Sequence, residues 1–156
     1  MNKMLIVEPN KCTGCRGCET ACSTFKEGEC SFYKSRIRVI KFQEELFSYP
    51  LVCQQCQTPL CALPCPTAAL KKNEQTGLVD FFKDKCVGCK LCLTACPLGA
   101  IALVNGLPAK CDLCGGDPAC VKLCEPGAIT LGEAESIVES QNLLLAEKIR
   151  TTFLRK

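Results

Sequence analysis

Apolar residues in this chain come in short runs separated by polar turns, not in long periodic stretches. Met4–Val7 forms one such run and predicts a single strand leading into the first cysteines. Residues 36–52, RIRVIKFQEELFSYPLV, predict two strands with Ile37, Val39 and Leu51 on buried faces and the adjacent Glu44 and Glu45 in the turn between them. Residues 69–82, ALKKNEQTGLVDFF, carry the clearest hairpin signal, with apolar runs on either side of a turn containing Asn73 and Gly77. Short strands are expected at Leu70–Lys72, Ile101–Val104 and Ile129–Leu131. Each follows a proline, Pro66, Pro97 or Pro126, that fixes φ and cannot continue a helix. Only the tail has helical periodicity: Ile137, Val138, Leu144, Leu145, Ile149 and Phe153 or Leu154 recur on one face, and Thr130 to Glu133 reads as a capping box near its start.

These runs cannot build a large core in 156 residues with no tryptophan and few aromatics. Seventeen cysteines change the picture, because small chains that cannot bury enough apolar surface are usually stapled by disulfides or metal. The N-terminus has no apolar stretch ending in a small-residue cleavage site, and no window reaches the roughly 18 apolar residues of a membrane span. A reducing cytoplasm is therefore expected, where cysteines bind metal in preference to pairing with one another.

Sixteen of the cysteines fall into four repeats. They are Cys12, Cys15, Cys18 and Cys22; Cys53, Cys56, Cys61 and Cys65; Cys86, Cys89, Cys92 and Cys96; and Cys111, Cys114, Cys120 and Cys124. The first and third repeats have the C-x2-C-x2-C-x3-C spacing of bacterial ferredoxins, and the other two lengthen only the middle gap. A CxxC loop turns its thiolates and backbone amides toward one centre, and a third cysteine close behind supplies another corner of an iron–sulfur cube. The fourth lies a helical turn further on, points away, and in the two-cluster arrangement ligates the neighbouring cluster. Tetrathiolate zinc would need paired knuckles and gives no role to the third cysteine or the trailing proline. The first repeat has Ser23 where the others have a proline closure, so its helix is expected to continue toward Lys26.

The repeats must then work in pairs, and the hairpin between the second and third makes those two a compact unit. One cluster takes Cys53, Cys56 and Cys61 with Cys96, and its neighbour takes Cys86, Cys89 and Cys92 with Cys65. The first and fourth repeats close around them as Cys12, Cys15 and Cys18 with Cys124, and Cys111, Cys114 and Cys120 with Cys22. The fold class expected is α+β: two pseudo-symmetric bacterial-type two-cluster ferredoxin units, one nested in the other, plus a C-terminal helix. The outer unit comprises residues 1–52 and 106–132, with a hairpin insertion at about 31–52; the inner unit is 53–105 and the helix 133–156. Cys30 is left over as a plain thiol.

Residues 5 to about 131 resemble the four-cluster ferredoxin-type electron-transfer subunits of molybdenum and tungsten oxidoreductases. The phrases YPLVCQQCQTPLCALPCPTAAL, CVGCKLCLTACPLGAI and AKCDLCGGDPACVKLCEPGAI carry the likeness. The resemblance implies the same three-plus-one pairing. With none of the sixteen ligands missing, it implies four [4Fe–4S] clusters. It also implies a large catalytic partner with a tungsten or molybdenum cofactor, and the shortness of the chain points to a soluble assembly.

No residue set supports chemistry on a substrate. There is no histidine, no phosphate-cradling glycine loop and no carboxylate pair placed for acid–base work. The formal charge of +3 does not indicate nucleic acid, because the basic residues are dispersed, and sixteen thiolates outweigh four cube cores once clusters are bound. Lys11, Arg16, Lys85, Lys90 and Lys110, beside the ligands, are expected to be solvated charges. The chain is thus expected to relay electrons between a catalytic subunit and an acceptor or donor. A freely diffusing polyferredoxin and a metal-loaded maturation factor are the alternatives, and contacts to further electron-transfer subunits or to copies of itself are open.

Overall fold

The computed structural model describes residues 3–133. Its framework is eight short strands in four two-stranded antiparallel ribbons, with three short helices at the cysteine repeats. Strand β1, Lys3–Val7, pairs with β8, Ile129–Glu133, so that Leu5 faces Leu131 and Val7 faces Ile129. Strands β1 and β8, the first and last among the described residues, therefore lie side by side although the other described elements separate them in sequence. The three other ribbons are local hairpins: β2, Arg38–Phe42, with β3, Phe47–Leu51; β4, Leu70–Lys72, with β5, Val79–Phe81; and β6, Ala102–Val104, with β7, Leu107–Ala109.

The strands expected at Leu70–Lys72 and after Pro97 and Pro126 are present. The 69–82 hairpin turns as its polar residues dictate: the Asn73 side chain accepts from the amides of Gln75 and Thr76, and Asn73 Nδ2 donates to Asp80. In the 36–52 hairpin Ile37 is buried, Val39 and Leu51 are half-buried, and Glu44 and Glu45 occupy the turn.

Helix α1, Gly17–Glu27, continues past the first repeat because Ser23 replaces the proline that interrupts the others. The Ser23 side chain is fully buried, donating to the Thr20 carbonyl and accepting from the Ser31 amide. Gly28 ends the helix in the left-handed conformation, where a missing Cβ removes the steric cost. Helices α2, Leu91–Ala95, and α3, Ala119–Lys122, are much shorter.

The C-terminal prediction needs one correction. Thr130–Glu133 do not cap a helix: they continue β8, held extended by pairing with Lys3–Ile6. The amphipathic segment beyond them lies outside the described residues.

Apolar packing among the described residues forms two larger clusters and a small third one of Ala102, Val104 and Ala109 on the β6–β7 ribbon. One larger cluster joins Leu5, Ile37, Val52, Leu113 and Ile129 with Cys18, Cys22 and Cys120; the other joins Leu70, Val79 and Ile101 with Cys61 and Cys92. Cysteine thus makes up a large share of both larger clusters, and folding and ligand placement are the same problem.

Candidate iron–sulfur centres

All four CxxC loops share one backbone device: the residue before the second cysteine has positive φ. In the first and third repeats it is glycine, Gly14 and Gly88, each at +69°. In the second and fourth it is Gln55 at +47° and Leu113 at +54°, left-handed conformations that are unfavourable for residues with a Cβ. Both side chains are buried. The first and third repeats also match one turn later: Arg16 (φ 62°, ψ 13°) and Lys90 (φ 64°, ψ 7°) stand in the left-handed region just before α1 and α2.

The loops and helices collect the thiols into rings. One cavity is lined by Cys12, Cys15, Cys18 and Cys124. A second is lined by Cys22, Cys111, Cys114 and Cys120, with Leu5, Ile37 and Val52 among its walls. A third is lined by Cys65, Cys86, Cys89 and Cys92. In the remaining set Cys61 lies within electrostatic range of Cys53 and Cys96, while Cys56 is exposed. Each of the three cavities thus combines the three leading cysteines of one repeat with the trailing cysteine of another. Cys30 is exposed and lines none of them.

Two trailing cysteines sit in matching environments. The Arg36 amide donates to Cys22 Sγ at 3.3 Å, and the Ala69 amide to Cys65 Sγ at 3.2 Å. Burial raises the Cys65 thiol, but the amides of Leu70, Thr67 and Ala69 outweigh it and hold its pKa below the ordinary thiol value. Elsewhere burial prevails. It pushes Cys18 up to about 12, helped by the neighbouring Glu19 carboxylate, and takes Cys111 and Cys120 to about 12. Cys61 and Cys92 are raised for the same reason. Buried thiols surrounded by other thiols ionise only when a bound cation compensates the charge.

That donor set fits an iron–sulfur core. Each of the three cavities has four thiols spread around it, the donor set of a multi-iron core.

The basic residues beside the ligands divide. Lys11 pairs with Glu8 at 2.8 Å, Lys85 and Lys90 are exposed, and Arg16 pairs with buried Glu19 while lying over the Phe32 ring. Lys110 departs from the expectation of solvated charge: it is 8% exposed. Its Nζ donates to Gln55 Oε1 at 2.7 Å and to the Cys111 carbonyl at 3.1 Å. Gln55 Nε2 donates to that same carbonyl at 2.8 Å, and its Oε1 also accepts from the Val79 amide at 3.1 Å. No sequence motif marks Gln55, and its glycine-like position in CQQC is the one available clue.

Residues 44–134 match the family described as the 4Fe-4S dicluster domain. The chain belongs to that family. The match takes in the second to fourth repeats and leaves the first outside. The chain is 42% identical over 125 residues to the aliphatic sulfonate oxidoreductase, polyferredoxin-like subunit, of Pyrococcus furiosus, covering 77% of this chain and 70% of that one. It is 34% identical over 181 residues to the electron transport protein HydN of Escherichia coli, covering 99% of both. It is also 40% identical over 130 residues to the NADH-dependent phenylglyoxylate dehydrogenase subunit beta of Aromatoleum evansii, but spans only 29% of that protein's length. Among solved structures, a chain of the active site complex BamBC of benzoyl coenzyme A reductase aligns with a TM-score of 0.50 at 29% identity, over 83% of this chain and 75% of that one. This 4Fe-4S protein is an iron–sulfur electron-transfer subunit of the kind found in oxidoreductases. No helix among the described residues is long and apolar enough to cross a membrane.

Proposed function

We propose that the chain holds four [4Fe–4S] clusters on its sixteen repeat cysteines and conducts electrons between a catalytic oxidoreductase subunit and a separate donor or acceptor. The ligand sets are Cys12, Cys15, Cys18 with Cys124; Cys111, Cys114, Cys120 with Cys22; Cys53, Cys56, Cys61 with Cys96; and Cys86, Cys89, Cys92 with Cys65. The observation that carries this reading is the make-up of the three cavities, each lined by three thiols of one repeat and one thiol of another. The pairing of β1 with β8 supports the nested arrangement, an outer unit of residues 1–52 and 106–132 closed around an inner unit of 53–105.

Bound in these rings, each cluster supplies a one-electron redox centre. The chain's part is to supply thiolates, donate backbone N–H groups to sulfur as Arg36 and Ala69 do, and exclude water with Leu5, Val52 and Leu113. In this reading the current starts or ends in a catalytic partner. The relatives, an aliphatic sulfonate oxidoreductase subunit and a chain of the benzoyl coenzyme A reductase complex, support a large catalytic partner. We assign that partner to the tungsten or molybdenum class and the assembly to the cytoplasm.

Anaerobic purification from the native host tests this. Co-elution with a large tungsten- or molybdenum-containing enzyme is expected, with electron transfer to its acceptor lost when this chain is removed. A lone monomer that restores electron flow between separately purified enzymes would contradict the subunit reading and support a diffusing polyferredoxin.

A further inference from the structure

Lys110 lies on the short link between β7 and the fourth repeat, within the fold and not on its surface. Burying an ammonium costs several kcal/mol unless nearby groups compensate it. Its hydrogen bonds go to the Gln55 amide oxygen and the Cys111 carbonyl, and none of the described carboxylates forms an ion pair with it. The groups that feel its charge are thiols on two sides: burial raises both Cys61 in the second repeat and Cys111 in the fourth, and the Lys110 charge offsets part of that rise at each. The same two repeats meet here, since Cys53 raises Cys111 and Gln55 Nε2 bonds the Cys111 carbonyl across 56 positions of sequence.

Gln55 is shaped for this place. Its positive φ turns the CQQC loop, and its buried side chain links the Val79 amide, the Lys110 ammonium and the Cys111 carbonyl. A glycine, as in the first and third repeats, would relieve the backbone and leave the ammonium without its amide partner. Strain is thus tolerated where a side chain is needed to hold the cation.

We propose that Lys110, held by Gln55, is a positioning residue that raises the reduction potentials of the two clusters meeting at this junction, those of the Cys53 and Cys111 sets. A fixed positive charge stabilises the form with one more electron, so these two centres sit above the two distal ones. Electrons crossing between the inner and outer units collect there. No proton or bond change is involved, and the electron comes from the partner enzyme or, in the test, from dithionite. The inference rests on the four-cluster reading.

The test is a mediated dithionite titration of the anaerobically loaded full chain, followed by EPR, with Lys110→Met and Lys110→Arg. In Lys110→Met two of the four midpoint potentials should fall, by a change of about tenfold in the reduction equilibrium, or about 59 mV for one electron. Lys110→Arg should restore them, with iron content unchanged in both. If Lys110→Met does not retain iron, Gln55→Glu sets a carboxylate against the ammonium, and the same two potentials should fall. Four centres with unmoved potentials, or four that shift equally, would overturn the role of Lys110 alone. Fewer than four one-electron centres in the unaltered protein would instead overturn the four-cluster reading.

Discussion

Leu5 in β1 lies opposite Leu131 in β8, and its side chain, 2% exposed, also forms part of the wall of the cavity ringed by Cys22, Cys111, Cys114 and Cys120. One residue near the start of the chain therefore both closes the fold and shields a redox site. Leu5→Ala should cost about 2–5 kcal/mol. The loss should be uneven, with the clusters of the outer unit released before those of the inner unit. Iron release followed by EPR during mild denaturation checks this; simultaneous loss of all centres would argue against two units.

Gly14 and Gly88 share φ +69°, but their surroundings differ. A Cβ on Gly14 would come within 2.5 Å of Ser48 Oγ on the β2–β3 hairpin, whereas on Gly88 it would meet only Leu107 Cδ2 at 3.9 Å. Both alanine variants carry the left-handed cost of about 1–2 kcal/mol. Gly14→Ala should be the more destabilised in chemical denaturation, and adding Ser48→Ala should recover part of the difference. Equal effects at the two positions would mean that the hairpin does not press on the first loop.

Glu19 is the anionic counterpart of Lys110. It is 1% exposed, accepts from the Val39 amide at 3.0 Å, pairs with Arg16 and raises the Cys18 thiol. Glu19→Gln keeps the shape and removes the charge. The potential of the cluster on the Cys12 set should rise in a redox titration while the other three stay in place.

Iron retention should depend on pH in a definite direction. The Cys18, Cys111 and Cys120 thiols, pushed up to about 12 when no metal is bound, hold their protons at neutral pH, so loading must release them. Acid therefore competes with iron. Chelator-driven bleaching of the visible iron–sulfur absorbance should accelerate as pH falls from about 8 to about 6, and a rate independent of pH would contradict this.

Much of this architecture was legible in the sequence because it is local. Cysteine spacing, the prolines after the repeats and the Asn73–Gly77 turn act within a few residues, and they locate Leu70–Lys72 and the helix that continues past Ser23. What could not be read depends on distant partners. The extended state of Thr130–Glu133 comes from β1, at the other end of the chain, and overrides a plausible capping box. Lys110 resembles any other lysine beside a ligand until Gln55, 55 positions away, is seen against it. The positive φ of Gln55 and Leu113 is likewise hidden, because the repeats that show this turn openly use glycine.

The three-plus-one assignment has a sharp local test. Cys65→Ser should damage the cluster built on Cys86, Cys89 and Cys92, which share its cavity, and spare the one built on Cys53, Cys56 and Cys61. Spectra showing the reverse would mean that each repeat keeps its own fourth ligand.

The most direct measurement of the central claim is metal analysis of the anaerobically purified or reconstituted chain. Four cubes predict about sixteen irons per chain and no stoichiometric zinc. About eight irons, or zinc in stoichiometric amounts, would contradict the four-cluster account.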